Sequence, residues 1–115
     1  QYLFAADRMN PSLGALLNPW QPGLIRTLER IASQAKAAGI YSSVCGESAS
    51  DPAFAVLLAG LGFDSVSASR SQVDAVRAAL SAVDRTQAES LAKSVLAAKS
   101  AEDTKSAAVA ALSAL

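Results

Sequence analysis

The spacing of apolar residues switches between two periods along the middle of this chain, and that alternation limits the folds open to it. From Pro22, acceptable in a helix's first turn, Leu24, Ile25, Leu28, Ile31, Ala32 and Ala35 recur at helical spacing, with Arg26, Glu29, Arg30 and Lys36 mostly opposite. Gly39 is a suitable stop. Ile40 to Val44, rich in β-branched and aromatic residues, reads as a strand. Asp51-Pro52 then opens a helix to about Leu61 in which Phe54, Val56, Leu57, Leu58 and Leu61 are apolar nearly all round, so it is expected to be buried, with Gly60 and Gly62 closing it. Asp64 to Ala68 reads as a second strand, and Gln72 to about Val83 as a third helix with Val73, Val76, Ala79, Leu80 and Val83 on one side. Helix, strand, helix, strand, helix with spacers of this length predicts parallel strands joined by crossovers, an α/β fold. Two such strands cannot make a stable sheet alone, so other surfaces are expected to complete it.

The flanks differ from this middle. Gln1-Tyr2-Leu3-Phe4-Ala5-Ala6 starts in an apolar run without an initiator methionine, as expected for a piece of a longer protein. Asp7 to Ser12 is polar and broken by Pro11, which puts Arg8 in or beside a loop. Leu13 to Leu17 resumes an apolar pattern that Asn18-Pro19-Trp20-Gln21-Pro22 interrupts. Beyond Val83 the composition turns to alanine, lysine and serine. Thr86-x-x-Glu89 has the form of a capping box for a helix to about Lys99, and Ser100 can cap another from Ala101. Alanine-rich terminal helices commonly lie on a surface or fray, so residues 84–115 read as a peripheral helical tail to a unit spanning 1–83.

Charge and residue inventory exclude several chemistries. Ten Lys and Arg against ten Asp and Glu, interspersed, leave no basic tract for a nucleic-acid backbone or a membrane surface. Small molecules or proteins are the expected partners. No apolar run is long enough for membrane insertion, and no signal-peptide pattern is visible, so a cytoplasmic location is expected. One cysteine and no histidine rule out an internal disulfide, a Cys/His zinc site, and Ser-His or Cys-His nucleophilic catalysis within these residues.

The residue that remains for chemistry is Cys45. It ends the first predicted strand and opens the loop Cys45-Gly46-Glu47-Ser48-Ala49-Ser50-Asp51, and in parallel α/β units the loops after strand C-termini are where reactive groups are placed. Read alone it is more often a buried cysteine serving as a small apolar residue. Arg8, read alone, is a surface ion-pair residue or an anion ligand. Gly46 and Glu47 are expected to shape the loop, and Asp51 to cap the helix that Pro52 begins.

Gln1-Tyr2, Asp7-Arg8-x-Asn10, Cys45-Gly46-Glu47 with Asp51-Pro52, and Leu57-Leu58-x-Gly60-Leu61-Gly62-x-Asp64-x-x-Ser67 together resemble the C-terminal end of the Enzyme I family of the bacterial sugar phosphotransferase system. That family belongs to the phosphoenolpyruvate-utilising enzymes. The match runs from Gln1 to about Leu80, and the tail resembles the family's ending more loosely. It implies the last part of a (β/α)8 barrel of the TIM type that binds phosphoenolpyruvate and forms a homodimer. It also implies that Cys45 is a general acid/base protonating the methylene carbon of enolpyruvate, a task a thiol can perform because it is largely protonated at neutral pH. Arg8 would bind the phosphate or carboxylate of phosphoenolpyruvate with its fork of donors.

Other family parts lie elsewhere. The family's Gly-Thr-Asn-Asp segment, whose aspartate helps to hold Mg2+, would precede Gln1, so no metal ligand is expected in this chain. The loop spelling Glu47-Ser48-Ala49-Ser50-Asp51 departs from the Met or Leu followed by Ala-Gly that many members carry before Asp-Pro. The resemblance implies that the whole enzyme passes phosphate from phosphoenolpyruvate through a histidine of its own to a histidine-containing phosphocarrier protein, releasing pyruvate. The neighbouring alternatives are a pyruvate phosphate dikinase or phosphoenolpyruvate synthase, or a non-catalytic dimerisation or binding piece.

Overall fold

The computed structural model describes residues 1–114. A 3-10 helix (Pro11–Leu17) precedes α1 (Pro22–Ala37), β1 (Ser43–Cys45), a second 3-10 helix (Glu47–Ser50), α2 (Pro52–Leu61), β2 (Ser65–Ser67), α3 (Val73–Ser81), α4 (Arg85–Ala97) and α5 (Ala101–Ser113). The two strands are parallel, with Ser43 opposite Ser65, Val44 opposite Val66 and Cys45 opposite Ser67. The predicted α/β order is therefore present, with helices dominating and a sheet of two short strands.

α2 is the centre of the core. Ala53 to Leu58 are all buried, as expected for a helix apolar on every side. The Asp51 carboxylate caps its start by accepting from the amides of Ala53 at 2.9 Å and Phe54 at 3.4 Å. Gly62, at φ 102°, ends it in the left-handed region while the Phe63 amide reaches back to the Leu58 carbonyl.

Around α2 pack Trp20, Ile25 of α1, and Ala88, Leu91, Ala92 and Val95 of α4, with Ala108 of α5 in the same cluster. The tail is thus no peripheral appendage. In the structure α4 lays Leu91 and Val95 directly into the core, and small Ala88 and Ala92 let it come close. The closest point is Gly60, which lies inside α2 and does not close it: a Cβ there would stand 2.0 Å from the Ala88 carbonyl oxygen.

Several expected boundaries move for local reasons. The first strand begins at Ser43 because Ile40 is used to finish α1: its amide donates to the Ala35 carbonyl while the Gly39 amide, at φ 67°, donates to Lys36. Ile40 and Tyr41 are accordingly exposed. The second strand spans only Ser65–Ser67, and just before it Asp64 is tied to Ser42, its carboxylate accepting from the Ser42 amide at 2.7 Å. The cap of α4 is Asp84 rather than Thr86. Its carboxylate accepts from the Gln87 amide and its own amide donates to the Gln87 side chain, both at 2.8 Å, a capping box two residues upstream of the expected one. Ser100 caps α5 as predicted. Ile31, assigned to the buried face of α1, is 47% exposed.

Candidate functional site

The loop after β1 is built from several fixed points. Cys45 is paired in register with Ser67, so the C-terminal ends of both strands lie side by side and send their loops out at the same end of the sheet. Gly46 has φ 135° and ψ 169°, a conformation that a side chain strongly disfavours, and this lets the chain leave the strand sharply just after the thiol. One turn of 3-10 helix follows, closed by the Ala49 amide on the Gly46 carbonyl and the Asp51 amide on the Ser48 carbonyl, both at 3.1 Å. Ala49 and Ser50 are buried at its end, and Asp51 passes the chain into α2. The serine hydroxyl of residue 50 accepts the Ser69 amide at 2.8 Å, joining this loop to the one after β2.

Cys45 is a free thiol and is exposed. Of the two readings open at the sequence level, the buried apolar cysteine is the one the structure disfavours. Glu47, Ser48 and Asp51 line a cleft of about 600 Å³ together with Trp20, Leu24 and Lys105. Lys105 comes from α5 of the tail. Trp20, buried, packs edge-on against Phe54 with ring centroids 4.9 Å apart.

Arg8 sits in an exposed turn at the other end of the chain. The turn is organised by Gln1, whose side-chain oxygen accepts the Arg8 amide at 2.7 Å, and by Asp7, whose carboxylate accepts the Met9 amide at 2.9 Å. Ala5, at φ 48°, and buried Ala6 fix the approach to it. Among the described residues no hydrogen bond or ion pair joins Arg8 to Cys45, and neither lines the cleft beside Glu47. Their side chains are both open to solvent, as anion binding by one and proton transfer by the other would require.

The described residues contain no group of three or more His, Cys, Asp or Glu side chains that could hold a metal ion. The sequence puts Cys45 and Gly46 after a strand and Asp51 at a helix start, but a serine in a polar loop carries no local sign of the contact that Ser50 makes with the Ser69 amide.

Comparison with known proteins identifies the family. The family described as PEP-utilising enzyme, PEP-binding domain, matches residues 1–85. A phosphoenolpyruvate-protein phosphotransferase of Streptomyces coelicolor is 43% identical over 98% of this chain and 20% of its own length. Multiphosphoryl transfer protein 1 of Escherichia coli is 35% identical over 90% of this chain and 12% of its own length. A phosphoenolpyruvate-protein phosphotransferase of Latilactobacillus sakei is 33% identical over 84% of this chain and 17% of its own length. The chain spans about one fifth or less of the length of these relatives. With the family's profile covering everything from Gln1 through the start of α4, the chain belongs to the PEP-utilising enzymes, in their PEP-binding domain.

Proposed function

We propose that this chain is the C-terminal part of a phosphoenolpyruvate-protein phosphotransferase and supplies the proton donor of its reaction. The observation that carries this reading is the exposed Cys45 thiol at the C-terminal end of a parallel strand, turned out by Gly46. When the phosphoryl group leaves phosphoenolpyruvate for an acceptor histidine, the bond between phosphorus and the enol oxygen breaks and its electrons stay on that oxygen. As the oxygen becomes a carbonyl, the methylene carbon gains electron density and takes the proton from the Cys45 sulfur. Pyruvate and a thiolate result. In reverse the thiolate removes a methyl proton from pyruvate.

Arg8 would hold the phosphate or carboxylate, and exposure leaves its five donors available. Mg2+ would neutralise charge on the substrate's oxygens, held by residues of the longer polypeptide. The acceptor histidine would also be outside this chain, which has none, and would pass phosphate on to a histidine-containing phosphocarrier protein in sugar uptake. In this reading β1 and β2 are the last strands of a (β/α)8 barrel in a cytoplasmic homodimer. The parallel register supports the barrel, and no helix among the described residues is long and apolar enough to cross a membrane.

The test is a product assay on the full-length protein with phosphoenolpyruvate. Phosphate appearing on the carrier protein, with pyruvate in equal amount, is the expected result. ATP formation from AMP or ADP would assign the chain to a dikinase or synthase instead, and absence of any pyruvate would leave only a non-catalytic role.

A further inference from the structure

We infer that Ser50 is a positioning residue for Cys45, clasping the loop that begins at the thiol to the end of β2. The inference rests on the reading of Cys45 as proton donor. The segment between Cys45 and α2 is short, and its two ends are held differently. At the Cys45 end the backbone pairs with Ser67 and then turns through Gly46. At the far end Ser50 is buried, and its hydroxyl oxygen accepts the Ser69 amide at 2.8 Å, two residues beyond β2. Ser67 and Ser69 thus grip the same loop from one side, the first at its start and the second at its finish.

Without the Ser50 hydroxyl, the fixed points left are the strand pairing, the turn bonds within residues 46–51, the packing of buried Ala49 in the core and the Asp51 cap. None of these turn bonds or caps ties the loop to the segment after β2. The 3-10 turn could then swing about Gly46 and loosen the end of the strand pairing that holds Cys45 opposite Ser67. The bond is only part-buried and Ser69 is an exposed residue, so the cost of losing the acceptor is smaller than for a fully buried amide. Removing the hydroxyl should therefore leave the fold intact and free the loop. Proton delivery to carbon depends on distance and angle in the transition state, so a freed loop affects turnover more than substrate binding.

The experiment compares kcat and KM for pyruvate formation from phosphoenolpyruvate by the full-length wild type, Ser50→Ala, Ser50→Gly and Cys45→Ala, with thermal unfolding of each. The two Ser50 variants are expected to lose roughly ten-fold in kcat, a part of the hundred-fold that a misplacement of about 1 Å can cost, with KM and unfolding midpoint near wild type. The alkylation rate of Cys45 by iodoacetamide should change in both. Wild-type kcat in either Ser50 variant, alongside a crippled Cys45→Ala, overturns the inference and leaves the function standing. Wild-type kcat in Cys45→Ala overturns the function itself. A rise in KM alone in the Ser50 variants also contradicts the inference, because it would place Ser50 in substrate binding.

Discussion

Thr104, fully buried on α5, donates its hydroxyl to the Trp20 carbonyl oxygen at 2.7 Å across 84 residues of sequence. The same hydroxyl lies against the Ser100 carbonyl of the preceding turn. Trp20 in turn packs on Phe54 of α2, so one polar contact links the final helix, the segment before α1 and the central helix. Replacing Thr104 by valine keeps the shape and strands a buried carbonyl. The expected loss is about 1–3 kcal/mol of stability, read as a lower urea midpoint with an unchanged slope.

Of the glycines, Gly60 has the least room for a side chain. In an open helix alanine would be better than glycine by about 1 kcal/mol, but a Cβ here meets the Ala88 carbonyl oxygen at 2.0 Å. The clash wins, because both atoms belong to packed backbone and neither can step aside without moving α4 off α2. Gly60→Ala is expected to cost about 1–3 kcal/mol or more, measured by chemical denaturation, whereas Gly14→Ala, which meets nothing within 4 Å, should not.

Asp51 holds the start of α2 and the finish of the Cys45 loop together. Asp51→Ala removes the acceptor for the Ala53 and Phe54 amides and is expected to cost about 0.5–2 kcal/mol, while Asp51→Asn should recover most of it. Thermal unfolding of the pair distinguishes a cap from a charged ligand, which asparagine would not replace.

How far these features could be read beforehand depends on how local their causes are. The span of α2, its Asp51 cap, its Gly62 stop and its burial were legible, because each is written in residues adjacent to the effect. Parallel strands were legible from spacing, but their ends were not: the Ile40 amide is taken by the Ala35 carbonyl, and this depends on how Gly39 turns. Asp84 was passed over as the cap of α4 because Thr86 and Glu89 offered the same pattern two residues later. Gly60 and the alanines of α4 were opaque. Small residues look inert in sequence, and their value here lies in letting two backbones meet. Cys45 could be placed at a strand end from the sequence, whereas the clasp between Ser50 and Ser69 required the fold.

Isolated as 115 residues, the chain should not release pyruvate from phosphoenolpyruvate, with or without added Mg2+. Its described carboxylates form no metal-holding group, and it has no histidine to take the phosphate. Turnover by the purified chain, above the rate in buffer, would contradict the assignment of those parts to the longer polypeptide.

The central claim is that the Cys45 thiol delivers the proton that makes pyruvate. Single-turnover pyruvate formation by full-length Cys45→Ala measures it directly. The account predicts a fall of about 10²–10⁴-fold in the rate of pyruvate formation, the usual contribution of a positioned general acid, with phosphoenolpyruvate binding little changed. A Cys45→Ala protein that forms pyruvate at the wild-type rate would contradict it.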